Sequence, residues 1–369
     1  MTNTLDDEVP SKPNTRKTAI KAVPAAAFKN AQLDMFQGFL ANTDNERKAL
    51  SNAIDLWDST PRYSIPRAKQ DVMRLEGGFL PVYKTDFQHR GTSYGVQIRP
   101  ARIEARDADG NPTGETVEYY PSSREELIEL ALRKLATDQN AGFHDQVNYR
   151  SGVAFTLYQL RAELAERGHA MGYLTLVEGL DILNLSNIRI TDKTSNIKDP
   201  SLISQSFFPV LIKVNKEMLA ADPDSKWLVQ FHSALTVSIN LVSYRQFNYA
   251  RLMRCRLQLS RWLISQLVLK YVQASVGNTF TLLYSTVKRD SGLLNYNQQR
   301  DSIAALDDAL EEIKREDVLM HIKKEPRTGL RGKIEEVTYT LMPSTKFAAE
   351  QKAANKRKSN STGIAVIPS

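Results

Sequence analysis

Apolar and polar positions along this chain form short blocks whose period keeps changing, and the clearest blocks lie between residues 279 and 341. Phe280-Thr281-Leu282-Leu283-Tyr284 is a short apolar segment that runs into a helix carrying Lys288 and Arg289. The polar run from Asn295 to Arg300 enters a second helix, where Ile303, Leu306, Leu310 and Ile313 recur at three- and four-residue spacing. Val318–Ile322 then reads as a strand, residues 323–333 as a basic tip with Gly and Pro, and Val337–Leu341 as the returning strand. Helix, helix and a two-stranded wing is the order of a winged helix-turn-helix, whose second helix enters the DNA major groove.

The same order occurs upstream. Ser122-Ser123-Arg124-Glu125 has the capping-box pattern and opens a helix to about Ala136. Gly152–Thr156 predicts a strand, Leu157–Arg167 and Met171–Leu185 two helices, and Ser186–Thr191, Phe207–Val214 and Trp227–Ile239 further strands. Phe155-Thr156-Leu157-Tyr158 echoes the segment that starts the downstream unit.

The expected fold class is therefore α+β, with two tandem winged-helix DNA-binding domains and disordered N- and C-terminal tails. Residues 1–45 form a flexible arm, and 46–120 a helix and β-hairpin region turned by Asp107–Gly114. The first winged helix occupies 121–243, a linker helix and the second winged helix 244–345, and a basic tail 346–369. In finer detail, Leu50–Pro66 predicts a short helix around Ile54, Leu56 and Trp57. Tyr244–Cys255 predicts the connecting helix, with Ser260 capping a helix over Arg261–Val272.

Charge changes the picture more by its placement than by its total. The net charge of +7 is concentrated in the tails, so bulk basicity alone says little about nucleic acid. Between Lys226 and Arg300, however, ten basic residues face Asp290 alone, which places a positive field just before and inside the second head. Within that head, Asn295, Asn297, Gln298, Gln299 and Arg300 crowd the helix entrance. Asn and Gln pair with adenine, and Arg with guanine, at major-groove edges. Lys288, Arg289, Arg254, Lys323, Lys324, Arg327, Arg331 and Lys333 are the candidate phosphate contacts. The upstream unit's second helix carries Glu178 and Asp181 and no Lys or Arg, which suits protein or peripheral contacts better than base reading.

No catalytic constellation emerges. Gly329–Lys333 is too short for a phosphate-binding loop, and the five histidines form no ligand-spaced pair. Asp107, Asp109, Asn111 and Glu118 resemble calcium-loop positions, but Pro112 stands where that loop needs glycine. The reading is of a non-enzymatic protein without cofactor or metal. Cys255 is the only cysteine, no apolar run has the length of a membrane span, and no secretory pattern opens the chain, so a cytoplasmic protein is expected.

Gln32-Leu33-Asp34-Met35-Phe36 resembles the pentapeptide by which many bacterial proteins bind the DNA polymerase sliding clamp. A glutamine amide would anchor it while Leu33 and Phe36 fill an apolar groove. Together with Ser64-Ile65-Pro66-Arg67, Phe155–Leu160 and the Arg254–Leu267 region, it makes the chain resemble theta-type plasmid replication initiators of the TrfA type. That resemblance implies binding to direct repeats (iterons) at an origin, melting of an adjacent A·T-rich segment, and recruitment of host machinery. The implied partners are double-stranded origin DNA, single-stranded DNA of the melted origin, the sliding clamp, the replicative helicase and a second copy of the chain. A winged-helix transcriptional regulator is the alternative.

Overall fold

The computed structural model describes residues 48–364 apart from 76–77, 108–110, 138–140, 146, 195–200, 222–224, 242 and 330–331. Strand β1 (Leu50–Ile54) and short helix α1 (Asp55–Ser59) open it, followed by α2 (Arg67–Met73). A hairpin, β2 (Tyr83–His89) and β3 (Thr92–Arg99), leads to a second one, β4 (Ala101–Arg106) and β5 (Pro112–Tyr119). The first winged-helix module contains α3 (Ser123–Leu135), β6 (Gly142–Asp145), β7 (Arg150–Phe155), α4 (Leu157–Glu166) and α5 (Tyr173–Leu185). Next come β8 (Asn187–Asp192), β9 (Ser201–Ser206), β10 (Val210–Ile212), α6 (Lys216–Ala221), β11 (Trp227–Gln230) and α7 (Ser233–Asn240). Strand β12 (Tyr244–Asn248) and helix α8 (Tyr249–Arg254) bridge to the second module. That module is α9 (Gln258–Lys270), β13 (Phe280–Leu283), α10 (Tyr284–Ser291), α11 (Gln299–Arg315), β14 (Leu319–Thr328) and β15 (Ile334–Pro343). Helix α12 (Thr345–Ile364) closes the described chain.

The two modules share a topology. In the second, the sheet order is β13-β15-β14, with the last strand in the middle. In the first, β7-β11-β10 repeats that order, and β6 extends the sheet on the far side of β7. Hairpin β8–β9 is an insertion between α5 and β10. Its strand β8 pairs with β3, giving a separate four-stranded sheet β2-β3-β8-β9. One continuous apolar core runs through both modules, from Trp57 and Phe155 to Leu306 and Leu341.

The modules are tied together by buried polar contacts. Arg261 on α9 is only 2% exposed. Its Nη2 donates to Glu126 Oε2 and Ser123 Oγ on α3, both at 2.8 Å. Helix α1 is held on α3 by a dry charged cluster in which Arg133 spans Asp58 at 2.7 and 2.8 Å and Arg62 bridges Asp58 and Glu129 at 3.2 Å. The Trp57 indole N–H adds a 2.6 Å bond to Glu129, and the Tyr63 hydroxyl donates to the same carboxylate. Charges taken out of water this way are tolerated because each has an opposite partner and fixed geometry. Burial opposes the charged form of Asp58, but Arg133 and then Arg62 more than compensate, and its carboxyl lies below the ordinary value.

Several elements differ from the sequence expectation. Residues 50–54 are a strand rather than part of a helix, because they pair antiparallel with β12 almost two hundred residues away, Leu50 opposite Asn248 and Ile54 opposite Tyr244. For the same reason the connecting helix expected over Tyr244–Cys255 is a strand followed by the short α8. The strand expected over Trp227–Ile239 ends at Gln230. His232 then caps α7, its side chain accepting from the Ala234 N–H. Ser260 is not a cap but lies buried inside α9, where its hydroxyl donates to the Ala309 carbonyl at 3.2 Å. The expected wing strand Ser186–Thr191 belongs instead to the inserted hairpin. The C-terminal tail is shorter than the sequence suggests, since residues 345–364 are helical. Helix α12 buries Phe347, Ala348, Gln351 and Ala354 and returns to the bridge between the modules. There Glu350 takes Arg251 in a two-bond pair at 2.8 and 2.9 Å. No helix among the described residues is long and apolar enough to cross a membrane.

Candidate nucleic-acid interface

The turn before α11 is held at both ends and free in the middle. Helix α10 stops at Gly292, whose φ of +64° is left-handed and where an added Cβ would meet Ser64 Cβ at 2.9 Å. Leu294 is then buried, and the hydroxyl of buried Ser302 reaches back to its carbonyl at 3.2 Å. Between these anchors Asn295, Asn297 and Gln298 are exposed, with Gln298 at the N-cap of α11. Asn295 is partly committed, since its amide donates to the Gly292 carbonyl at 2.6 Å. Gln299 is half-buried, while the Arg300 side chain is 79% exposed and touches only its neighbour Asp301, at 3.3 Å. Ile303, Leu306, Leu310 and Ile313 bury the opposite face of the helix, so its N-terminal turn projects outward as one polar group of donors and acceptors.

The wing stands beside it. Pairing of Lys324 with Tyr339 and of Pro326 with Val337 puts Lys324 on the face that packs toward the core, and Lys323 and Arg327 on the opposite face. Lys324 accordingly meets Asp307 of α11 at 2.6 Å, and the Tyr339 hydroxyl donates to the same carboxylate at 2.8 Å. Lys323 and Arg327 hold only solvent-side partners, Glu325 at 2.9 Å and Glu335 at 3.6 Å. Exposed pairs of this kind are worth roughly 0–1 kcal/mol and are exchangeable for a phosphate. Lys288 and Lys333 are exposed. Arg289 is held by Asp290 at 2.6 Å, and Asp290 also accepts from the Gln88 N–H of β2 at 2.9 Å. Arg331 lies outside the described residues, as do Gln32, Leu33, Asp34, Met35 and Phe36.

The basic stretch upstream of the head does not form the surface field that its composition suggests. Arg245, Arg251 and Arg261 are buried and serve the packing of the bridge and the modules. Arg254 is exposed but paired with Glu316 at 2.8 Å. No residue pattern in the sequence separates these arginines from the phosphate candidates, because their partners lie on α3 and α12.

The first module's counterpart helix is covered along part of its length, while Tyr173 and Leu174 in its first turn are exposed. Hairpin β4–β5 lies along α5 and leaves a groove of about 420 Å3 lined by Tyr119, Val177, Leu185 and charged groups. Glu178 is taken by Arg124 at 2.7 Å, and Asp181 pairs with Lys213. Among the described residues there is no cluster of groups that could hold a metal ion.

No protein-family model matches the sequence. No curated protein matches it either. Among solved structures, the chain is similar to a crystal structure of selenomethionine derivatives of domain 2 and domain 3 of RctB. The TM-score is 0.47 at 11% identity, over 78% of this chain and 96% of that one. A second crystal structure of RctB domains 2–3 gives a TM-score of 0.45 at 12% identity, over 81% of this chain and 99% of that one. The Pi initiator protein in complex with iteron DNA gives 0.32 at 12% identity, over 81% of this chain and 99% of that one.

Proposed function

We propose that this protein is a replication initiator that binds repeated sequence at a plasmid origin, without enzymatic activity of its own. The observation that carries the reading is the projecting turn of the second module, where Asn297, Gln298 and Arg300 stand clear of the core beside a wing bearing Lys323, Arg327 and Lys333. Amide and guanidinium groups at a helix entrance suit base edges, and exposed cations on the flanking strand suit phosphates. In this reading the first module, with α5 partly covered and without Lys or Arg, contributes protein contacts or peripheral DNA contact. Melting of an A·T-rich segment would draw on DNA bending and many backbone contacts rather than on a nucleotide. The sliding clamp, the helicase, the melted single strand and a second copy of the chain are the partners proposed with it.

Footprinting on the cognate origin tests the reading: protected direct repeats are expected, and their absence would sink it. Arg300→Ala should relax discrimination at one base position by about 1–3 kcal/mol while leaving phosphate contacts in place. An unchanged preference would remove Arg300 from base reading. For the clamp, replacing Leu33 and Phe36 together by Ala should abolish capture of the sliding clamp, and retained capture would return that peptide to an ordinary amphipathic segment.

A further inference from the structure

A second cavity lies away from the DNA-reading head, where the bridge between the modules meets both ends of the described chain. It has a volume of about 430 Å3. It lies between the β2–β3 turn, the start of β12, the end of α9 and helix α12. Arg90, Arg245 and Lys358 line it, and Asp55 is the one carboxylate among its lining residues. Asp55 is already engaged, by Arg90 Nη2 at 2.7 Å and His89 Nε2 at 3.3 Å.

Arg245 is the unusual member. It is buried at the base of β12, and its Nη2 donates only to neutral amides, Gln351 Oε1 at 2.7 Å and Asn355 Oδ1 at 2.8 Å. Its Nε has no partner, and no carboxylate lies within ion-pair distance of it among the described residues. Elsewhere in this molecule the buried arginines Arg62, Arg133, Arg251 and Arg261 each have a carboxylate. Burial lowers the proton affinity of Arg245. It does the same at Lys358, where Arg245 and Arg90 add repulsion and Asp55 partly offsets it. A guanidinium desolvated without a counter-charge is costly, and an anion entering beside it would remove that cost.

We infer that this cavity binds a phosphate group, with Arg245 as the fixed fork and Arg90 and Lys358 as the cations that close on it. Arg245, buried without a carboxylate, presents a planar fork of donors that suits the paired oxygens of a phosphate, whether monoester or diester. The bound group would brace α12 against the bridge strand. The phosphate can come from a DNA backbone or from a free phosphate compound. Only the first source rests on the proposed DNA binding.

The test uses the full chain and the variants Lys358→Met, Arg90→Gln and Arg245→Gln. Melting temperature is followed against inorganic phosphate and pyrophosphate, with ionic strength held constant by chloride. Duplex affinity is followed against salt. For a free ligand, the melting temperature should rise saturably with phosphate or pyrophosphate, and Lys358→Met should move the midpoint at least tenfold higher. For a backbone phosphate, the melting temperature should ignore free phosphate, while Lys358→Met lowers the salt slope of duplex binding by about one and leaves base preference unchanged. The inference is overturned if neither response occurs, or if the responses persist unchanged in Lys358→Met and Arg90→Gln. Those two variants decide the matter even if Arg245→Gln does not fold. Footprinting with Arg300→Ala separates failure of this site from failure of the DNA-reading head.

Discussion

His232 sits at the start of α7 with its ring stacked on Trp57, centroids 4.4 Å apart, and with Nδ1 accepting from the Ala234 N–H at 3.2 Å. The neutral ring therefore carries its proton on Nε2, which is buried without a partner. Burial first, and the nearby Arg62 second, bring its pKa from 6.5 down to about 3. Between those values the unfolded chain takes up the proton and the folded one does not. Stability is thus full above pH 6.5 and declines as pH falls, by up to about 1.4 kcal/mol per unit. His144 and His169 are lowered in the same direction, so they add to the slope. In urea unfolding at pH 7 and pH 5, His232→Asn should be less stable overall yet lose less between the two pH values. An identical loss would show that His232 does not titrate with folding. At this scale the sequence picks out the polar entrance residues as a group. It could not distinguish Asn295, which bonds its own turn, from Asn297 and Gln298, because that depends on where Gly292 turns the chain.

Helix α12 is the element least visible in the sequence. Its residues show no strong apolar period, and the face it buries is built from Phe347, Ala348 and Ala354 together with polar Gln351. What holds it is specific: Phe347 against Tyr271 with centroids 6.3 Å apart, Glu350 on Arg251, and Asn355 donating to the Val272 carbonyl at 2.9 Å. Phe347→Ala should cost about 3–5 kcal/mol in chemical denaturation, whereas a loss below 1 kcal/mol would mean that α12 is not part of the folded core. The second head behaved differently. Its helix period and strand alternation are strong and local, and β13, α10, α11 and the wing stand within a few residues of where the pattern puts them. The strand expected over Ser186–Thr191 is β8 of the inserted hairpin and not part of the first module's wing, because strand signals carry no information about which neighbour they pair with.

At the scale of the whole molecule, the modules fold around one core and share a buried charged joint at Arg261, Glu126 and Ser123. Arg261→Met would leave Glu126 without its partner. It should cost about 3–5 kcal/mol, and in calorimetry it should split a single unfolding transition into two. A single transition at an unchanged temperature would show that the joint does not couple the modules. A separate contact ties the turn before α11 to the hairpin upstream of the first module, since Asp290 at the end of α10 accepts from the Gln88 N–H of β2.

The sequence by itself determined the local periods, and with them the second helix-helix-wing unit, the helices of the first, the capped start of α3 and the polar entrance of α11. These are legible because helix and strand periodicity, turn residues and caps act over a few positions. Only the tertiary structure decided which arginines face solvent. It also decided that the first and last strands of the upstream half pair across almost two hundred residues, and that the first module's helix α5 lies under a hairpin. Those outcomes depend on burial and on partners distant in the chain. An arginine has the same letter whether it meets Glu126 inside a core or a phosphate outside one.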